Sequence, residues 1–190
     1  MSSHLKKLCT GAFVALLALA APAAAQQGGQ PLSPRDTARI ELDAGKRVYV
    51  DYGRPSMRGR KIVGELVPYG RVWRTGANAA TTLVTEADLR IGDAVVPRGT
   101  YTLYTLPSAE GWTLIVNRQT GQWGTQYDAS RDLVRIPMRT TAVAQPVEKF
   151  TIMLEPGSAR GTGTLAMAWE RTRVSVPIRA QPAAAARPRR

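Results

Sequence analysis

Residues 89–117, LRIGDAVVPRGTYTLYTLPSAEGWTLIVN, hold four short apolar runs separated by turn residues. Leu89–Ile91 and Ala94–Val96 flank Gly92-Asp93, a glycine-first pair suited to a two-residue hairpin turn. Pro97-Arg98-Gly99 then turns the chain into Thr100–Leu106, rich in β-branched and aromatic side chains, and Glu110-Gly111 leads into Trp112–Asn117. Outward from this stretch the same grammar repeats. Lys46–Tyr52 alternates, placing Val48 and Val50 on one face and Tyr49 and Asp51 on the other. Thr81–Thr85, Leu133–Met138, Phe150–Glu155, Thr164–Glu170 and Arg173–Ile178 complete about ten candidate strands. No window of helical length carries a helical stripe. These features predict an all-β fold, a single antiparallel β-sandwich, with the jelly roll among the topologies that fit. They leave the strand order open.

The ends of the chain read differently. Residues 1–25 combine Lys6 and Lys7, an apolar run from Gly11 to Ala21, and small residues at Ala23-Ala24-Ala25, the pattern of a cleaved signal peptide. The expected location is therefore periplasmic or secreted. The Gly/Pro/Gln-rich stretch at 26–37 reads as a linker, 38–179 as the β-sandwich domain, and the Ala/Pro/Arg stretch at 180–190 as a disordered tail. No later stretch is apolar enough to span a bilayer, so no transmembrane segment is expected after cleavage.

Cleavage would have a chemical consequence. The single His4 and the single Cys9 both lie in the leader, so the remaining chain would contain neither residue. Ser-His-Asp and Cys-His catalysis and zinc sites of the nitrogen–sulfur type then have no side chains to use. No D-x-D-x-D calcium loop is present. The expectation is no catalytic residue, no metal and no cofactor. Removing Lys6 and Lys7 from the 26 basic residues leaves a formal charge of +10 against 14 acids. The bases are dispersed, and export would separate the protein from cytoplasmic nucleic acid, which together point away from specific nucleic-acid recognition.

Two stretches depart from strand-and-turn composition. Residues 51–78, DYGRPSMRGRKIVGELVPYGRVWRTGAN, mix arginines, aromatic rings and five glycines. Glycine permits close backbone approach, and arginine offers a planar fork of donors for carboxylates or phosphates. From this stretch Arg54, Arg60, Tyr69, Trp73, Arg74 and Asn78 are expected to converge on a pocket for a small molecule, a glycan or an envelope component. Residues 117–132, NRQTGQWGTQYDASRD, form a long polar connection, with Trp123 and Tyr127 as lid residues. Two other readings compete. The motif would be loop architecture in a structural or protein-interaction module, or a glycan hydrolase would use paired carboxylates from Asp51, Glu65, Asp128 and Asp132.

Leu66 to Asn78 (LVPYGRVWRTGAN), with Tyr52-Gly53-Arg54-Pro55 before it, resembles the exported bacterial family catalogued as domain of unknown function 2911. The resemblance continues through Gly99-Thr100-Tyr101, Trp112–Asn117, Trp123-Gly124 with Tyr127, Val147–Ile152 and Trp169-Glu170, spanning roughly residues 47–178. It implies export and a β-rich domain and supplies no catalytic residues.

Overall fold

In the computed structural model, which describes residues 32–181, nine strands carry almost all of the regular structure. They are β1 Arg35–Glu41, β2 Arg47–Gly53, β3 Thr82–Thr85, β4 Leu89–Ile91, β5 Ala94–Val96, β6 Gly99–Pro107, β7 Trp112–Asn117, β8 Asp132–Pro156 and β9 Thr162–Ala180. All neighbouring strands are antiparallel and form one sheet in the order β1-β2-β3-β6-β7-β8-β9-β4-β5. The all-β, antiparallel expectation is met. The strand order is a meander with the β4–β5 hairpin carried to the far edge, not the interleaved Greek keys of a jelly roll. Among the described residues no helix is long and apolar enough to cross a membrane. The leader expected at 1–25 lies outside the described residues, as do residues 26–31 of the expected linker and the expected tail beyond Gln181.

One strand makes the sheet double over. The first part of β8 pairs with β7, through Met138 opposite Trp112, and from Arg139 opposite Ser175 onward it pairs with β9. The two halves of the sheet face each other across a core. Val48, Val50, Leu83, Leu103 and Leu114 come from one side and Leu165, Met167, Val176 and Ile178 from the other. The predicted alternation holds in β2, where Val48 and Val50 are buried and Arg47 and Tyr49 face outward. Beyond β2 the chain ties the halves together. Ser56 bridges Lys149, Phe150 N–H donates to Pro55 O (2.8 Å), and Ile152 N–H donates to the Tyr52 hydroxyl (3.0 Å).

Three boundaries differ from the sequence reading. β1 begins at Arg35, inside the stretch read as linker, because Arg35 to Glu41 pair residue for residue with Gly53 to Arg47. The separate strands expected at 133–138 and 150–155 are parts of β8, and those at 164–170 and 173–178 are parts of β9. The joining segments are solvent-facing and interrupted by β-bulges between Ala142 and Val147 and between Val147 and Thr151, so they carry no apolar alternation. Ala180, expected in the tail, is the last residue of β9 and pairs with Leu89.

Candidate functional site

The slot beside β6 is filled twice by the same stretch of chain. Thr82 of β3 pairs with Thr102 of β6, while Trp73 exchanges two backbone hydrogen bonds with Thr105 (2.7 and 3.0 Å). Between them residues 74–80 leave the sheet as a loop. Ala77 of this loop rests directly on Gly53: an ideal Cβ built there would lie 2.1 Å from Ala77 O. Thr75 is fully buried and holds a left-handed φ of 53°, a rare conformation for a β-branched residue. Its hydroxyl lies 3.1 Å from that of Thr105, and the Thr81 hydroxyl donates to Thr75 O (2.7 Å). Asn78 is also left-handed, and its carbonyl accepts from Gly124 N–H (2.9 Å).

Gly124 belongs to the connection between β7 and β8, which folds back over β6 as a flap. Buried Asn117 anchors it, its Nδ2 donating to Asp128 O and to Asp132 Oδ1 (both 2.8 Å). Asp128 accepts from Ser130 N–H (2.9 Å) and so shapes the turn before β8. The Tyr127 ring meets the Tyr104 ring edge-on, with centroids 4.8 Å apart. The Tyr127 hydroxyl donates to Asp132 Oδ2 (2.6 Å) and accepts from Arg135 (2.8 Å). Burial, followed by the Asp132 carboxylate, pushes the Tyr127 phenol up to about 12.

Between the loop, the flap and the segment after β2 lies a cleft of about 650 Å³, within the size range of small-ligand sites. Of the sequence-predicted residues, Arg60, Trp73, Arg74, Asn78 and Tyr127 line it. Trp73 reaches inward as well. It stacks on Trp169 (centroids 5.7 Å, planes 21° apart) and meets Phe150 edge-on at 4.9 Å, so it serves both the cleft wall and the core. The stem of Arg74 lies along Gly124, where a Cβ would come within 2.9 Å of Arg74 Cδ, and Arg74 Nε donates to Gly76 O (3.2 Å). Arg60 donates to Met57 O and Ser56 O (2.9 and 2.8 Å).

Arg54, Tyr69 and Trp123 are not among the lining residues. Arg54 points to β8 instead: it pairs with Asp36 (3.3 Å) and donates to Phe150 O and the Thr151 hydroxyl (3.2 and 2.9 Å). The Tyr69 ring lies over Gly64, 3.3 Å from where a Cβ would stand. Trp123 is half-exposed, on the stretch of flap that bridges to Ala79. The cleft also recruits Arg71, Tyr104 and Trp169, which sequence reasoning did not single out. Arg71 lies within the arginine-rich motif, but an irregular loop has no period to show which arginines share a side.

The charge of the lining is one-sided. Arg60, Arg71 and Arg74 face the cleft, no aspartate or glutamate lines it, and none of the three forms an ion pair among the described residues. The four acids considered for hydrolysis are held elsewhere: Asp51 by Arg35, Glu65 by Lys61 (3.5 Å), Asp128 by Arg131 (3.8 Å) and Asp132 by Arg135 (2.9 Å). The hydrolase reading therefore has no pair of carboxylates across this cleft. Among the described residues no group of three or more His, Cys, Asp or Glu side chains gathers to hold a metal ion.

Fold and cleft together define an all-β domain with an arginine-lined, acid-free surface cleft. The chain belongs to the family of proteins of unknown function designated DUF2911, whose model matches residues 33–178 and so takes in all nine strands but for the last two residues of β9, and nearly all of the cleft lining. The chain matches no curated protein and no solved structure.

Proposed function

We propose that this is an exported binding domain whose cleft takes a small anionic ligand. The observation that carries this reading is the set of three arginines without a single acid in the lining. A guanidinium has five N–H donors and no acceptor, so the charged part of the site can only donate. In a partly desolvated cleft, cations without counter-charges favour an occupant that brings carboxylate or phosphate oxygens. An architectural role accounts for Arg54, and for Arg60 and Arg74 in part, because their guanidinium groups bond to backbone carbonyls. It leaves Arg71, and the terminal nitrogens of Arg74, facing an acid-free cleft.

Calorimetric titration with organic acids, uronates and inorganic phosphate, set beside uncharged sugars, tests the reading. Anions are expected to bind, to raise the melting temperature, and to weaken as salt is added. Arg74→Ala is expected to cost roughly tenfold or more in affinity, the scale of one charge-assisted hydrogen bond. Anions that bind no better than neutral sugars would overturn the reading. Export is tested separately by mass spectrometry of the native product, which is expected to begin at Gln26; a chain retaining Met1 would overturn it.

A further inference from the structure

Two large aromatic side chains stand in solvent beside the cleft. Trp123 is 51% exposed and Tyr69 48%, although the core buries most of the other rings. Scattered exposed hydrophobic residues are ordinary on protein surfaces, so exposure alone carries nothing. Their placement is more specific. Trp123 directly precedes Gly124 and Thr125, which line the flap side. Tyr69 lies between Leu66 and Arg71, which belong to the motif and line the cleft as well.

Both rings sit on fixed backbone. Ala80 N–H donates to Gln122 O (3.1 Å) and Gly124 N–H to Asn78 O (2.9 Å) on either side of Trp123. Gly70 N–H donates to Pro107 O (2.8 Å) just after Tyr69. A rigid indole or phenol ring held in this way presents a flat amphipathic surface at low entropic cost. The cleft they adjoin offers cations, while Tyr104 and Trp169 in its lining are buried and leave little ring surface for a ligand.

We propose that the occupant is an acidic oligosaccharide longer than the cleft, with sugar faces against Tyr69 and Trp123 and carboxylates on Arg60, Arg71 and Arg74. This rests on the anion-binding reading above and adds the ligand's class and length. A neutral glycan would leave the guanidinium charges uncompensated, whereas carboxylates neutralise them and accept bidentate, charge-assisted hydrogen bonds. A single-stranded nucleic acid needs an exposed ring for each base along its path. Here just two exposed rings adjoin lining residues, one in the motif and one on the flap.

The test compares galacturonic acid monomer, its α-1,4-linked trimer, an uncharged trisaccharide and oligothymidylate, titrated into the full chain and into Trp123→Ala, Tyr69→Ala and Arg74→Ala. The trimer is expected to bind about tenfold or more tightly than the monomer, and the neutral trisaccharide not at all. Trp123→Ala and Tyr69→Ala are each expected to weaken the trimer roughly fivefold to tenfold and leave the monomer unchanged. Arg74→Ala is expected to weaken both. Both rings are half-exposed, so an unchanged melting temperature serves as the folding control. Equal affinity for monomer and trimer, with Trp123→Ala silent, would overturn the oligosaccharide and leave the anion cleft standing. Tighter binding of oligothymidylate than of the trimer would overturn the sugar chemistry. Failure of every anion would remove this inference and the reading beneath it together.

Discussion

At Gly53 the missing side chain is a packing requirement. The atoms that a methyl group would meet are Ala77 O and Ala77 C, at 2.1 and 2.9 Å, and backbone atoms cannot swing aside as a flexible side chain can. Gly53→Ala is expected to destabilise the fold by about 2 kcal/mol or more, read from urea midpoints, and to deform the cleft, because Ala77 lines it. The partner of this contact is a strained loop. A buried threonine with a left-handed φ persists only where its surroundings over-determine it. Thr105, Thr81, Gly53 and Gly124 supply that constraint from four places in the chain. The strain sits in the segment that carries Arg74 and Asn78, so the fold itself fixes where this stretch of the cleft lining stands.

Among the elements, the flap has the most legible chemistry. Tyr127, Asp132 and Arg135 latch it, and the phenol, normally near 10.0, is held at about 12. The folded state thus favours the neutral phenol more than the unfolded state does. The latch contributes its full stability below pH 10.0 and loses it as the pH rises from there through about 12. Unfolding midpoints are expected to fall across that window, and less steeply in Tyr127→Phe; an identical fall in the variant would assign the effect to other groups. Elements were legible where local signals agreed. Leu89–Val96 combined a glycine turn with matching apolar runs and is the β4–β5 hairpin. β1 was not legible, because Arg35 to Glu41 offers Ile40 as its one large apolar residue and is held by its pairing with β2. In the site, the density of glycine, arginine and aromatic residues led to Arg60, Trp73, Arg74, Asn78 and Tyr127. Arg54 has the same local composition but is claimed by Phe150 and Thr151, almost a hundred residues away, and no local pattern reveals such a partner.

Across the whole molecule, β8 belongs to both halves of the sheet, and the packed core is continuous between them. Neither half can lose its order without exposing the apolar face of the other. A single unfolding transition is therefore expected, with circular dichroism and fluorescence melting together; separated transitions would show that the halves are independent. The chain's four tryptophans divide unevenly over this architecture. Trp112 and Trp169 both meet Trp73 inside the aromatic cluster, while Trp123 stands half in solvent beside the cleft. Light absorbed by the protein thus has two destinations, a crowded set of coupled indoles emitting at the blue edge and one wet indole at the red. The red component is expected to respond to changes beside the cleft, so titration of the proposed anions should be readable from the protein's own emission with no added dye.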